Sequence, residues 1–491
     1  MSKVLLVNPI FNIPKENYDS SISVGLLCLA SYLDRQGIKV KIIDGARQKG
    51  YLDLIREELP QVDFVGISVM TTQVGSALEI SKLVKDFKKD LPIIWGGFHP
   101  TFFPEETASH PLVDMAVIGE GEETLLEIFQ GRALKEIKGI AFKRHYEDSP
   151  RSNGFQVQVN QGRPLLGFEN LPLPKWDLMP REILDNLALI PTHTSRGCPH
   201  RCSFCVNAIL KNRWRSRQPE KVLEDLEIIK SRPEFYNKPV RFWDEDFFVQ
   251  KRRAREIIEG MIKRKFNLFW ETTIRADYLD KNFLDDDFMA DLRKSGCYLL
   301  SFGAESGSPL VLKKIQKDIT REQILNSARR CLKYGIVPQY SFMVGLPGET
   351  KKDMFETISL IDKLTKLSPE VQILGPQAFR PYPGSALYQE CLVSGWRAPQ
   401  SLEQWAKIME NELNYLSPQN FPWLKDPDFV ESLEAYVRFG AHSFKSALGS
   451  TVKANKFLKT LFILLCKLRW KLKFFKWPIE FKIAKGVMIK T

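Results

Sequence analysis

TSRGCPHRCSFCVNA, residues 194–208, places Cys198, Cys202 and Cys205 within eight residues. The other five cysteines (Cys28, Cys297, Cys331, Cys391 and Cys466) are scattered along the chain. That distribution is no disulfide framework; it fits a reducing compartment and one metal site. An iron–sulfur cubane is normally held by four thiolates. Three thiolates from one loop cap three irons and leave the last with an open coordination position, the feature that separates catalytic from structural metal sites. A small molecule can chelate there. Zinc is the rival, with His193 or His200 as a further ligand, although structural zinc knuckles usually bring paired Cys-x2-Cys arms.

The stretch follows directly on a strand-like segment, LALIPTHTS, and an alternation of strands and helices begins there. The further strands are VRFWDED, LFWETTIRA, YLLSFGAES, PQYSFMVGLPG and VQILGPQAFRP. Helical stretches such as EKVLEDLEIIKSR, RRAREIIEGMIKRK, TREQILNSARRCLKYG and DMFETISLIDKLTK separate them. Roughly six βα units are too few for a complete eight-fold barrel. The expectation for residues 189–400 is a partial, open (βα)6 barrel of the TIM type.

Upstream, residues 1–140 alternate in the same way. VLLVNPI, KVKIID, DFVGISV, PIIWGG and MAVIGEG are short apolar runs between helical stretches. The pattern predicts an α/β domain with a doubly wound, Rossmann-like parallel sheet. Ligands of such sheets sit beyond the C-terminal strand ends. Those ends carry Asn8-Pro9, Asp44-Gly45, Ser68, Gly96-Gly97-Phe98-His99-Pro100 and Gly119-Glu120-Gly121-Glu122. The first turn, NPIFNIPKEN, lacks the Gly-x-Gly-x-x-Gly of a dinucleotide cradle. Residues 141–188 read as a linker, polar and then proline-rich (LPLPKWDLMP), with one or two short strands (GIAFKR, FQVQV).

Residues 401–491 read as a helical C-terminal region with a basic amphipathic tail. The formal net charge is +12, but Lys445–Thr491 alone holds 12 Lys/Arg and one acid, Glu480, a balance of +11. The basic character belongs to the tail and not to the fold. KFLKTLFILLCKLRWKLKFFKWPIEFK mixes these charges with Phe, Trp, Leu and Ile. It reads as a helix lying in a membrane interface, as a helix packed on the barrel, or as a nucleic-acid contact. Aromatic density favours lipid. No apolar run reaches the roughly 18 residues of a membrane span, and the N-terminus lacks the layout of a signal peptide. The expected location is the cytoplasm, with peripheral contact at the inner face of the membrane.

The cysteine spacing, in RGCPHRCSFC, resembles the radical S-adenosylmethionine (SAM) superfamily over about Leu187 to Leu392. The resemblance implies that Cys198, Cys202 and Cys205 hold a [4Fe-4S] cluster whose open iron binds SAM. One electron from the cluster then cleaves SAM to a 5′-deoxyadenosyl radical. It further implies that Phe204 lies beside the adenine and that the strand end with Asp244 and Glu245 touches the SAM amino group. SFGAESGS would supply Ser301 and Glu305 as polar contacts to SAM. MVGLPGET, with Gly345, would pack near the adenine, and AFRPYPGS, with Arg380, would close the site. Read alone, GLPGET is also a turn with a helix N-cap, and DED a solvated loop.

The N-terminal region resembles the cobalamin-binding domain found upstream of many radical SAM cores, with Ser68 after the third strand and Gly96-Gly97 after the fourth. Two glycines let the backbone approach a flat ring, and a serine can hydrogen-bond a displaced base. One departure is clear: no His occurs in residues 1–98, so the usual histidine ligand to cobalt is missing there. His99 reads as a loop residue near the corrin.

Together the resemblances imply a cobalamin-dependent radical SAM enzyme that C-methylates an unactivated carbon, with no catalytic side chain assigned. Its partners would be a small-molecule or lipid substrate and an external electron donor of flavodoxin or ferredoxin type, without nucleic acid. The alternatives are a radical SAM cyclase, oxidase or rearrangement enzyme without methyl transfer, and a non-catalytic iron–sulfur protein.

Overall fold

The computed structural model describes residues 3–11, 22–145, 155–210, 213–280, 283–410, 420–441 and 456–488. Most of the NPIFNIPKEN turn and the start of the basic tail lie outside the described residues. Two parallel sheets organise the chain. The first has the order β2-β1-β3-β4-β5-β6-β7, built from β1 (Lys3–Asn8), β2 (Lys39–Asp44), β3 (Phe64–Ser68), β4 (Ile93–Gly96), β5 (Met115–Val117), β6 (Ile140–His145) and β7 (Phe155–Val159). β1 to β5 run parallel, with helices between them. Val4, Leu5, Val7, Ile43, Val65, Ile93 and Trp95 are almost fully buried, because helices cover both faces of the sheet.

β6 and β7 are the two strands read as part of a linker. They pair antiparallel with β5 and with each other, and so extend the first sheet. The proline-rich stretch that follows is a strap pinned along the molecule. Trp176 is buried against Phe235 (ring centroids 4.9 Å), and the Lys175 amide donates to Ser31 Oγ at 2.8 Å.

The second sheet has six parallel strands in the order β15-β14-β13-β12-β11-β8: β8 (Ile190–Thr192), β11 (Val240–Phe242), β12 (Trp270–Ile274), β13 (Cys297–Glu305), β14 (Val337–Val344) and β15 (Gln372–Ala378). Spatial order follows chain order, as in a barrel that stops short of closure. Between β8 and β11 lies a two-stranded antiparallel ribbon, β9 (Ser195–Arg196) with β10 (Arg215–Ser216). The connecting helices start where the sequence signals them. Thr320 and Thr350 each accept from the third residue onward, Gln323 and Asp353, whose side chains reach back to the cap amide.

The C-terminal region is helical. Helix Leu402–Glu410 returns to the first domain, where Trp405 meets Phe103 at 5.3 Å between ring centroids and Glu403 bonds His110 at 2.9 Å. Helix Pro427–Tyr436 covers the end of the barrel, and helices Lys456–Leu472 and Ile479–Met488 pack outside it. One contiguous set of buried apolar side chains runs from β1 to Phe475, so both sheets and the C-terminal helices share a core.

Candidate active site

The β9–β10 ribbon closes a loop over residues 197–214 and brackets the three cysteines. Cys202 is buried, and Cys198 and Cys205 are half-buried. The loop is stapled to distant units of the barrel. The Ser203 amide donates to Ile315 O at 3.0 Å, beyond β13, and the Leu387 amide, beyond β15, donates to Ser203 O at 3.1 Å. Burial pushes the Cys198 thiol up to about 12, and burial also raises Cys205. Thiols ionise when a metal takes them, and three of them on one loop are a donor set that fits a metal centre. Donor atoms of Cys198, His200 and Asp246 lie within 4.8 Å of one another.

His200 belongs to a hydrogen-bonded trio. Its Nε2 lies 3.2 Å from Asp246 Oδ2 and 3.0 Å from Tyr278 OH, and Tyr278 OH donates to Asp246 Oδ2 at 3.0 Å. His193, just past β8, is held neutral by burial, which lowers its pKa to about 3.

The strand end after β11 divides into two roles. Asp244 is buried and accepts from the Thr194 amide (2.7 Å), Thr194 Oγ1 (2.5 Å) and Ser195 Oγ (2.5 Å). Both its oxygens are used inside the fold, so it ties β11 to the start of the cysteine loop and does not face a ligand. Glu245 is solvent-exposed, yet enough protein surrounds it to raise its pKa through burial. A group with both properties lines a recess. Glu245 accepts from the Gly197 amide at 3.1 Å, next to Cys198.

The fourth and fifth strands show which face is inward. Phe302 stacks on Tyr340 at 5.0 Å, and the Tyr340 and Ser327 hydroxyls lie 2.7 Å apart, so this face packs on the outer helices. Alternate residues form the other face. There Ser301 Oγ donates to Gln339 Oε1 at 3.0 Å, and Gln339 Nε2 donates to Gln372 Oε1 at 2.7 Å. Glu305, with φ of +63°, pairs with Lys317 Nζ at 3.2 Å. Lys317 Nζ also lies 5.8 Å from the centre of the Phe204 ring. Lys317, Gln339 and Gln372 escaped the sequence reading, because they sit in ordinary polar stretches and acquire meaning only across strands.

Gly345 turns toward the C-terminal region: Trp423 Nε1 donates to its carbonyl at 2.9 Å. Glu349 accepts from the Gly345 amide at 2.5 Å and the Leu346 amide at 3.0 Å, so GLPGET folds on itself before the Thr350 cap. Arg380 lies past β15, near enough to Glu434 of helix Pro427–Tyr436 for their charges to interact. Burial raises Glu434, and the charges of Arg438 and Arg380 oppose the rise.

The two sheets meet at this end. Arg196 of β9 reaches Glu122 Oε1 at 2.9 Å and Glu120 Oε1 at 3.2 Å, past β5, and Arg215 of β10 reaches Glu120 Oε1 at 2.9 Å. Burial would raise Glu120, but the Arg215 hydrogen bond and the Arg196 charge hold it low. The sequence placed Glu120 and Glu122 at a ligand-facing strand end; they anchor the cysteine ribbon to the first sheet instead. Arg196→Ala is expected to destabilise the chain by about 1–3 kcal/mol by stranding Glu122, while Glu120 keeps its bonds from Arg215. An unchanged denaturant midpoint would contradict that anchoring role. A second meeting point is Gly384, where an added Cβ would lie 2.4 Å from the Phe102 ring.

Ser68 and Gly96 are register partners at the ends of β3 and β4. Gly97 has φ of +101° and ψ of −167°, and a Cβ there would meet Val69 O at 2.8 Å. Gly97 is therefore explained by the approach of two strand ends, whereas a Cβ on Gly96 would meet only Val117 at 3.9 Å. Gly97→Ala is expected to cost about 1–3 kcal/mol, read as a lowered unfolding midpoint of the cofactor-free chain. A glycine kept only to admit a ligand would leave that midpoint unmoved. Met70 and Phe98, at 42% and 41% exposure, form an apolar shelf at these strand ends. His99 is not a loop residue. It lies in helix Phe98–Phe102, fully buried, with Trp405 edge-on at 5.6 Å, and burial lowers its pKa to about 3.

The thiol triad on its open barrel thus faces the strand ends of a Rossmann-like sheet. A model of the B12 binding domain matches residues 19–129, and a model of the radical SAM superfamily matches residues 192–361. An uncharacterised methyltransferase of Pyrococcus horikoshii is 30% identical over 406 residues, which are 78% of this chain and 83% of that one. The chain belongs to the cobalamin-binding radical SAM enzymes.

The anaerobic magnesium-protoporphyrin IX monomethyl ester cyclase of Rubrivivax gelatinosus is 27% identical over 380 residues, which are 74% of this chain and 65% of that one. Among solved structures, the radical SAM methyltransferase TsrM from Kitasatospora setae aligns with a TM-score of 0.63 at 20% identity, over 81% of this chain and 76% of that one. The cobalamin-dependent radical SAM enzyme OxsB aligns with a TM-score of 0.62 at 24% identity, over 85% of this chain and 56% of that one. At such identities these structures speak for the fold.

The cofactors of this family are a [4Fe-4S] cluster, SAM and cobalamin, and the residues present fit them. The thiol triad suits the cluster, and the apolar shelf at Met70 and Phe98 lies where a doubly wound sheet takes its ligand. His99, covered by Trp405, is placed as a core residue rather than a cobalt ligand.

Proposed function

We propose that this chain is a cobalamin-dependent radical SAM C-methyltransferase acting on an unactivated carbon of a small-molecule or lipid substrate. The observation that carries the reading is the partly buried ion network that ties the three-thiol loop to the β5 end of the cobalamin-type sheet. It holds two cofactor sites in one fixed relation across the barrel mouth. When bound, the cofactors supply one-electron cleavage of SAM and a transferable methyl group.

The chain's own residues bind and orient. Cys198, Cys202 and Cys205 hold the cluster. Glu245, Ser301 and the Glu305–Lys317 pair offer charges of both signs to the amino and carboxylate groups of SAM. Phe204 offers a ring face to the adenine, and Gly345 shapes the wall behind it. Arg380, with Glu434, guards the mouth. Ser68, Gly96 and Gly97 form the strand ends under the corrin. Asp244 acts as a positioning residue for the loop. The domains are residues 1–140 for cobalamin, with β6 and β7 added to its edge, 189–400 for the radical SAM core and 401–491 for the cap. An external reductant of flavodoxin or ferredoxin type would serve the half-exposed loop. The enzyme would work in the cytoplasm, against the inner face of the membrane.

The test is anaerobic incubation of the cofactor-loaded chain with reductant, methyl-labelled SAM and a total lipid extract. Expected results are 5′-deoxyadenosine and label in carbon-bound methyl groups. The likeness to an anaerobic cyclase favours a second reading, radical chemistry without methyl transfer; 5′-deoxyadenosine without labelled product would select it. Absence of 5′-deoxyadenosine with both reductant and substrate extract present would overturn both.

A further inference from the structure

The basic tail is not a free amphipathic strand. Helix Lys456–Leu472 buries Cys466 and Trp470, and Phe462 packs against Phe439 at 5.8 Å between centroids. Phe475, also buried, meets Tyr436 at 5.8 Å and Phe355 at 6.4 Å. Tyr436 OH donates to Glu480 Oε1 at 2.7 Å, and Arg469 pairs with the same carboxylate. The reading of the tail as a helix packed on the barrel thus describes one of its faces.

The opposite face is bare. Leu461, Leu464, Leu468 and Leu472 are 43%, 56%, 51% and 64% exposed. They recur at i, i+3, i+7 and i+11, a single stripe along the helix. The next turn and helix Ile479–Met488 add Phe474, Trp477, Ile479 and Ile483, at 43%, 72%, 62% and 63% exposure. Lys467, Lys471, Lys473, Lys476 and Lys482 are exposed around them. Contiguous apolar surface of this kind marks an interaction site.

Charge decides the occupant. The segment from Lys445 to Thr491 carries a balance of +11; its one acid, Glu480, is spent on Arg469 and Tyr436 within the fold, and Lys473 and Lys482 pair with Asp362 and Asp428 outside the segment. A second copy of this chain would bring the same charge to the same face and be repelled. An anionic bilayer accepts both features: apolar side chains enter the acyl boundary, and each lysine near the surface adds attraction of about 1 kcal/mol. No helix among the described residues is long and apolar enough to cross a membrane, so the contact is parallel to the surface.

We propose that the leucine stripe of helix Lys456–Leu472, with Trp477, Ile479 and Ile483, docks this enzyme on an anionic lipid surface. The inference rests on the membrane contact in the proposed function, though not on its chemistry. The docking plate is fastened through Tyr436 and Phe475 to helix Pro427–Tyr436.

The test is co-sedimentation of the full, cofactor-loaded chain with vesicles of phosphatidylcholine alone and of phosphatidylcholine with phosphatidylglycerol. Expected are binding to the anionic vesicles, release by high salt, and at least a tenfold weaker partition for Leu464→Glu/Leu468→Glu. These positions face solvent, so the variant keeps its far-UV circular dichroism and iron content. Wild-type binding matched by the variant would overturn this face while leaving membrane contact standing. No wild-type binding to either vesicle would overturn the membrane contact itself. Concentration-dependent dimerisation abolished by the variant, or binding to DNA in preference to vesicles, would assign the face to another partner and overturn the proposal.

Discussion

Cys202→Ala is expected to purify without iron and sulfide and to yield no 5′-deoxyadenosine from SAM. Iron falls from about four atoms per chain to background, because a cubane on three protein thiolates cannot spare one. The effect is local to chemistry and not to folding. Cys202 is buried in a loop held by backbone bonds from Ser203 and Leu387, and those bonds do not involve its sulfur. The unfolding midpoint of the metal-free variant is therefore expected to match that of the metal-free wild type. Cys331→Ala, which removes a buried thiol from a helix far from the loop in sequence, retains its iron. One equivalent of zinc in the wild type in place of iron and sulfide would refute the cluster assignment.

Asp244→Ala is expected to be the most damaging substitution outside the thiols, at about 3–5 kcal/mol. It removes the acceptor for the Thr194 amide and for two hydroxyls in a site that water does not reach. It also leaves buried Arg253, which donates to Thr194 O at 2.7 Å, without its opposing charge. Thr194 and Ser195 begin the ribbon that carries the cysteine loop, so iron content falls together with stability. The readouts are a denaturant midpoint and iron per chain. A residue that only touched the SAM amino group would leave both at wild-type values and raise the KM for SAM alone. That outcome would restore the ligand role implied by the family motif. Asp244→Asn sharpens the comparison: it keeps the shape but brings an amide donor against existing donors, so it too loses stability.

Much of this architecture was legible in the chain. The strands of both sheets were marked by short apolar runs, and their helices by caps such as Thr320 and Thr350. The six-unit barrel followed from counting. β6 and β7 were seen as strands but assigned to a linker, since an antiparallel edge hairpin lacks the βα rhythm that identified its neighbours. At the site, the three thiols are local in sequence and their chemistry follows from spacing. Glu245, Phe204 and Glu305 sit on strand ends or loops that the rhythm placed at the same end of the barrel. Lys317, Gln339 and Gln372 belong to no local pattern, and only strand pairing in register joins Ser301 to Gln339 and Gln339 to Gln372. The tail shows the same division. Its composition announced both lipid and packing, and burial of Cys466, Trp470 and Phe475 shows which side chains serve packing.

The sequence by itself determined the thiol triad, the two α/β units and the concentration of positive charge in the last helices. Those properties depend on neighbours a few residues apart, where covalent spacing and periodicity dictate geometry. Only the tertiary structure decided that Asp244, Glu120 and Gly97 serve the framework, that Lys317 stands over Phe204, and that one face of the tail remains bare. Each of these depends on which distant groups are brought within hydrogen-bonding or van der Waals reach. Burial then sets whether a carboxylate anchors the fold or faces a ligand.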